Sequence, residues 1–317
     1  MESVSSMMSS FSESARLAKL ADYGVLDTPP EKDFDDIAAA AARLFNLPMS
    51  AVSLIDSDRQ WFKARYGIGA TETPRSQAFC AHAINGNDLF VVTDAPADPR
   101  FSDNPLVKNA PNIRFYAGAP LITPDNFKLG TLCVIGTEAR PEPTEAQRTI
   151  LTMLARLVVR ELENRRIARR AEHQASTAAK LTEAIIATIS APTIAESMSV
   201  LAEQARQLCV ADRVRVVYSG TEGIVTAQAQ RDSAVGVDLP WADLDAAVQG
   251  KPTFVGVTNK ALSQPLAAGG WIGIPLRQDP PAALHVWRRL TSNFTEMEAA
   301  MLIDLARVAA SVLKKRN

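Results

Sequence analysis

The chain switches between two hydrophobic rhythms, and it does so in the same order in each half. In FNLPMSAVSLI (45–55) and LCVADRVRVVY (208–218), a helix end passes through a turn into a strand of alternating, β-branched residues. Further on, IRFYAGAPL (113–121) and WIGIPL (271–276) each predict a strand. Both turn and return as a second apolar strand, LGTLCVIG (129–136) or AALHVW (282–287). A helix start follows each hairpin. Thr144 with Gln147, and Thr295 with Glu298, fit a capping box, in which hydroxyl and amide or carboxylate satisfy orphan backbone donors. The helices then continue as ILTMLARLVV and AMLIDLARVAA. One unit of helix, strands, hairpin and helix therefore occurs twice, the second with a shorter hairpin loop. Strands segregated from their flanking helices predict an α+β fold, an antiparallel sheet packed on helices.

Between the hairpins, residues 144–191 contain neither Gly nor Pro, which predicts one helix on the order of 70 Å long. Ile150, Leu154, Leu157, Val158 and Leu162 make one apolar stripe. Ala171, Ala175, Ala178, Leu181, Ile185 and Ile189 make another. Such stripes exceed what one small domain can cover, so a homodimer through helices 144–190 is expected. The intervening ENRRIARR reads as a solvated stretch, with Glu161 and Glu163 near Arg165 and Arg166.

Composition narrows the function classes. At 317 residues, 47% hydrophobic and 22% charged, the chain suits two globular domains. With 34 basic and 35 acidic residues, no net field favours nucleic acid or an anionic membrane. No apolar run is long enough to span a bilayer. The start, MESVSSMMSSFSESA, lacks the pattern of a signal peptide and reads as a disordered polar tail over 1–15. Three scattered cysteines without an export signal point to a cytoplasmic location.

The candidate chemistry concentrates in the first half. On a helix, residues two apart point away from each other, so Cys80 and His82 of SQAFCAHAI cannot form a local dyad; Phe79 shares the face of His82. His82 is either a satisfied interior histidine or a donor to a ligand, and Cys80 is a packing residue in a pocket wall. Three histidines and three cysteines without ligand spacing give no metal set. Strand alternation puts Arg114 and Tyr116 on one face, with Ile113, Phe115 and Ala117 on the other. Arg100 or Arg114 is expected to pair with Asp94 or Asp98, or one arginine stays free to clamp an anion. Gly118 permits a close approach, and Trp61 and Phe62 add bulk to core or pocket. His173 reads as a surface histidine, and His285 as lying on a solvated sheet face.

These motifs carry a family resemblance. Residues 16–163, through RLAKLADYGVLDTPPEKDFDDI, SLIDSDRQWFKARYGIGATETPRSQAFCAHAI, DAPADPRFSDNPLV, IRFYAGAPL and LGTLCVIG, resemble a GAF domain of bacterial sensor proteins. The second half, 191–317, resembles a divergent GAF domain only through its strand–hairpin–helix ending and the internal repeat, with 164–190 as a linker helix. The resemblance implies two antiparallel sheets flanked by helices, and a small-molecule pocket in the first domain. Trp61, Phe62, Phe79, Cys80, His82, Arg114 and Tyr116 are its candidate lining; the ligand is unknown and no cofactor or catalytic residue is identified. Bilin-binding relatives carry cysteine directly before histidine, where Ala81 intervenes here. Asn259-Lys260 with Phe294 and Glu298 imitates a cyclic-nucleotide signature in the wrong place. The expectation is a cytoplasmic sensor that relays through its helices to a separate signalling effector. The alternatives are a thiol redox enzyme using Cys80 or Cys133, and a ligandless dimeric scaffold.

Overall fold

The computed structural model describes residues 2–220, 223–231, 239, 245, 255–256, 270–278, 281–289 and 294–315. The chain divides into two compact units, Met1–Ala171 and Glu172–Asn317.

The first unit opens with α1 (Glu2–Tyr23) and α2 (Lys32–Phe45). Next come β1 (Met49–Ile55), β2 (Arg59–Tyr66) and β3 (Glu72–Pro74), then α3 (Phe79–Ala83) and β4 (Phe90–Val92). After α4 (Pro105–Lys108), the hairpin of β5 (Phe115–Ile122) and β6 (Lys128–Gly136) leads into α5 (Glu145–Ser190). The strands form one antiparallel sheet in the order β3-β2-β1-β6-β5-β4. One face packs on α1, α2 and the start of α5 through Phe34, Leu54, Trp61, Phe115, Leu132 and Val158. The other packs on α3, α4 and their loops through Phe62, Phe79, Phe101, Tyr116 and Cys133. Helix α2 stops at Asn46, whose left-handed backbone no regular helix continues. Its last carbonyls are closed by Arg140, which donates to Phe45 O and Asn46 O at 3.1 and 2.9 Å.

Residues 1–15 correct the sequence reading, since 2–23 form a helix rather than a disordered tail. Leu20 and Tyr23 anchor its end in the core. Glu13 links Arg16 and Arg75 at 2.8 and 2.6 Å, tying the helix to the loop after β3. The ENRRIARR stretch is likewise less solvated than expected. Arg165 pairs with Glu31 at 2.8 Å, Arg166 with Asp22 and Glu163 at 2.8 Å each, and Arg170 with Asp22 at 2.5 Å. Arg169 donates to the Asp22 carbonyl at 2.6 Å. Four guanidinium groups thus clamp the segment from Asp22 to Glu31, which presents those two carboxylates and the carbonyls of Asp22 and Gly24 to them. Residues 164–171 therefore belong to the first unit rather than to a free linker.

In the second unit, α6 (Ile194–Leu208) starts on a capping box of Thr193 and Glu196. Strands β7 (Arg213–Gly220), β8 (Gly223–Gln230), β9 (Val255–Gly256), β10 (Gly270–Gln278) and β11 (Pro281–Arg288) follow, then α7 (Glu296–Lys315). Among the described residues the sheet runs β8-β7-β11-β10-β9, the order that β2-β1-β6-β5-β4 takes in the first unit. Its core joins Leu201, Val216, Leu284 and Leu305 with Leu181, Ala184 and Ile185 of α5. Both predicted capping boxes form, at Thr144–Gln147 and at Thr295–Glu298.

The two apolar stripes on α5 also need correcting. Val158 and Leu162 are buried in the first core and Leu154 packs against it, while Ile150, Met153 and Leu157 stay exposed. In the other half Leu181 and Ile185 pack on the second core, and Ile186 and Ile189 are exposed. Each stripe read from the sequence joins a core-facing row to a solvent-facing one, because both repeat every three or four residues.

Candidate functional site

Strand alternation decides what the first sheet offers on its α3 side. Along β2, Gln60 and Phe62 turn to that side, while Trp61 lies between them in the α2-facing core. The neighbouring aromatics Trp61 and Phe62 thus separate, as a two-residue period requires. Gln60 sits opposite Thr73 in the β2–β3 ladder, so the two side chains share a face. From β5 comes Tyr116, whose ring is fully covered. A Cβ on Gly118 would stand 2.2 Å from the Tyr116 hydroxyl, so the glycine leaves the space that hydroxyl occupies.

Together with α3 and the loop around 106–113, these strands enclose a cavity of ≈ 290 Å³. Phe62, Phe79, Cys80 and Tyr116 line it, joined by Met49, Ile113 and Ile135. No cationic side chain is among the described lining residues. Its polar groups are Gln60, Thr73, the Tyr116 hydroxyl and the Cys80 thiol. The Gln60 amide oxygen and the Thr73 hydroxyl are buried and have no hydrogen-bond partner. Buried acceptors without partners cost about 1–3 kcal/mol each in mutational data, and a ligand donor would offset that.

Tyr116 donates to Cys80 Sγ at 3.2 Å, and its oxygen lies 3.4 Å from Thr131 Oγ1. Cys80 Sγ stands 3.9 Å from Cys133 Sγ, which faces the Ala51 carbonyl at 3.6 Å. Burial works against a Cys80 thiolate. The polar surroundings of Cys133 and Thr131, with the hydrogen bond that Tyr116 donates, outweigh it and hold this thiol below the ordinary cysteine range. Cys133, bonded to Cys80 and equally buried, is pushed up. These polar neighbours come from β5 and β6, distant in sequence from α3, and so leave no local signal around Cys80.

The rest of the expected site lies outside the cavity. His82 packs edge-on against Phe101 at 4.9 Å between ring centres, and Phe101 stacks on Phe79 at 3.9 Å. Burial and the Arg100 charge push the His82 imidazole below its usual value, favouring the neutral ring. Arg100 pairs with Asp98 at 2.5 Å and covers Phe90 and Phe101 at 4.9 and 5.4 Å. Asp94 joins neither arginine among the described residues; its carbonyl accepts from the Ala97 and Asp98 amides instead. Arg114 corrects a second expectation. It donates to the carbonyls of Val107 and Ile113 at 2.9 and 3.1 Å, and does not line the cavity. It precedes β5, where alternation has not begun, so Ile113 and not Arg114 shares the cavity with Tyr116.

His285 in the second unit is fully buried, contrary to a solvated sheet face. Its ring stacks on Trp271 at 5.7 Å, and Nε2 lies 2.8 Å from Asp245 Oδ1. Arg215 reaches the same aspartate at 3.1 Å. Burial opposes the Asp245 charge, but His285 and Arg215 outweigh it and hold the carboxyl down. Arg288 ties Glu298 at 2.7 Å and stands over Phe294 at 4.4 Å, which gives the supposed nucleotide signature a structural role. Asn259 and Lys260 lie outside the described residues. His173 is exposed. No group of three metal-ligating side chains occurs among the described residues, and none of their helices is long and apolar enough to cross a membrane.

Residues 29–162 match the family model of the GAF domain, so this part of the chain is a GAF domain, a sensory domain family. A cyclic di-GMP phosphodiesterase of Pseudomonas aeruginosa is 44% identical over 154 residues, which cover 49% of this chain and 26% of that protein. The chain thus spans about a quarter of that relative's length. Among solved structures, the bacteriophytochrome RpBphP3 from the photosynthetic bacterium R. palustris aligns with 96% of this chain and 76% of its own. That alignment has 12% identity and a TM-score of 0.45.

Proposed function

We propose, on the premise that residues 29–162 form a GAF domain, that the protein is a bacterial cytoplasmic sensor whose first unit binds an uncharged, mostly apolar small molecule. The observation carrying this reading is the cavity on the α3 side of the sheet. It is walled by apolar groups, holds no cationic side chain among its described lining, and presents the unpartnered oxygens of Gln60 and Thr73. An anionic ligand would enter without a countercharge, at a cost of several kcal/mol per buried ion. A flat heterocycle with one N–H or O–H donor suits both the walls and the Gln60 acceptor. The volume lies near the lower end of the ~300–1,000 Å³ typical of ligand sites.

The second unit is read as a divergent GAF domain, on the strength of its matching strand order. The signal passes along α5 to a separate effector protein, in a homodimer of two copies. Exposed apolar rows support that assembly, Ile150, Met153 and Leu157 in one half of α5 and Ile186 and Ile189 in the other. The relative's enzymatic activity resides in a protein four times longer than the shared stretch, and it does not define the reaction, if any, of this chain.

Thermal denaturation of the full chain with indole, 1-methylindole and indole-3-carboxylate tests the ligand class. Indole is expected to raise the first unit's melting temperature, 1-methylindole less, and the carboxylate not at all. Ala70→Trp, placed on an exposed lining position, should abolish the shift. A larger shift from the carboxylate, or an undiminished shift in A70W, overturns the reading.

A further inference from the structure

The cavity ends on two sulfurs, and binding a neutral ligand gives neither of them a task. Cys80 lines the cavity and Cys133 lies directly behind it, on the central strand β6. Their Sγ atoms are 3.9 Å apart, near van der Waals contact, with both residues buried. They come from different kinds of element. Cys133 is held in a ladder with β1 and β5, opposite Ala51 and Gly118. Cys80 sits on α3, a helix of five residues. The Tyr116 hydroxyl points its proton at Cys80 and not at Cys133.

We propose that Cys80 and Cys133 form a dithiol that a small hydroperoxide entering the cavity oxidises to an intramolecular disulfide. Cys80 is the attacking thiol, because it is the one at the cavity surface and the one that Tyr116 supports as a thiolate. Its sulfur attacks the terminal peroxide oxygen. An S–O bond forms, the O–O bond breaks, and the departing alkoxide or hydroxide takes the proton released from Cys80. That leaves a sulfenic acid and an alcohol or water. Cys133 sulfur then attacks Cys80 sulfur, forming S–S while the sulfenic oxygen leaves as water with the Cys133 proton. Overall, two thiols and one hydroperoxide become a disulfide, an alcohol (or water) and water. The peroxide gains the two electrons that the sulfurs lose.

Closing the bond brings the sulfurs from 3.9 Å to about 2.05 Å. The adjustment falls on α3, whose Phe79 is part of the cavity wall, so oxidation alters the ligand site. A dithiol reductant reverses the step. Cys209, the third cysteine, is an internal control. It is buried in the second unit, and burial together with the Glu298 charge pushes its thiol up to about 12.

The test uses the full chain, exposed to hydrogen peroxide or tert-butyl hydroperoxide and then denatured in N-ethylmaleimide for intact mass and peptide mapping. The expected product carries one maleimide, at Cys209, has lost two hydrogen atoms, and yields a linked Cys80–Cys133 peptide. Dithiothreitol should restore three maleimides. During the peroxide exposure, Cys80 and Cys133 should become unavailable to maleimide together, about tenfold faster than Cys209, because attack by Cys80 starts the reaction and Cys133 follows into the disulfide. In Cys133→Ala, Cys80 should accumulate as a dimedone adduct. Three maleimides after peroxide, a disulfide between chains, or first loss at Cys209 each overturn the proposal. Peptide mapping of the unsubstituted protein decides the matter even where C133A does not fold. Since indole binding is read separately, failure here leaves the ligand proposal standing.

Discussion

Gly118 faces Cys133 across the β5–β6 hairpin, and Gly273 faces His285 across β10–β11. On the neighbouring strand, Ala51 stands beside Cys133, and Arg215 beside His285. Two residues before each glycine come Tyr116 and Trp271; two after the facing residue come Ile135 and Trp287. At three of these positions the first unit carries Ala51, Cys133 and Ile135 where the second carries the larger Arg215, His285 and Trp287, while Tyr116 and Trp271 are both large. One arrangement leaves a cavity of ≈ 290 Å³. The other places buried Trp271 and His285 against each other and ties His285 and Arg215 to Asp245. Side-chain choice at these positions separates a cavity in the first unit from a buried aromatic and ionic cluster among the described residues of the second.

The largest expected effect tests the buried aromatic cluster of the second unit. Trp271→Ala should cost the second unit about 3–5 kcal/mol, the range for emptying a large core aromatic. Tyr116→Phe removes one hydroxyl and should cost the first unit only about 0.5–1.5 kcal/mol. Hydrogen exchange resolved by segment would measure both. Equal costs would mean that the two faces are packed alike.

Acid should separate the units less sharply. Hydrogen bonds from Arg16 and then Arg75 outweigh burial and lower the Glu13 carboxyl from 4.5 to about 2. A carboxyl depressed in the folded state adds stability that is full above its unfolded value and lost as pH falls. The contribution of the α1 anchor should therefore fade between pH 4.5 and about 2. Glu13→Gln should flatten that part of the first unit's acid profile and leave the second unit's unchanged. A profile identical in the two proteins would remove Glu13 from the account.

The hairpins, both capping boxes and the uninterrupted α5 were legible in the sequence, because period, caps and the absence of Gly and Pro are local signals. The site was legible only in part. Phe62, Phe79, Cys80 and Tyr116 line the cavity, Trp61 takes the core alternative, and His82 and Arg114 lie outside the lining. Alternation along β2 already separates Trp61 from Phe62 and would have selected Gln60. The pairing of Gln60 with Thr73, and of Cys80 with Cys133, depends on strands or helices distant in sequence, and no local pattern reports it. Helix α1 was missed for a similar reason. Its polar composition hides an end held by Leu20, Tyr23 and the Glu13–Arg75 pair.

The smallest effect on stability is expected on the exposed rows of α5. Ile186→Glu with Ile189→Glu should change stability by no more than about 0.5 kcal/mol, as exposed substitutions do, yet shift a dimer to monomer in light scattering. Leu181→Glu with Ile185→Glu should instead unfold the second unit, since both pack on its core. A dimer unaffected by the first pair, or a parent that is already monomeric, would sink the proposed assembly.

The contrast between the cavity of the first unit and the aromatic and ionic cluster of the second can be read in a single spectrum. With the eight methionines of the full chain labelled at the methyl carbon, Met49 reports on the cavity wall and Met198, fully buried, on the second core. On titration with indole, the account predicts that the Met49 resonance moves and saturates while Met198 stays fixed. Movement of Met198 with Met49 unchanged would contradict it.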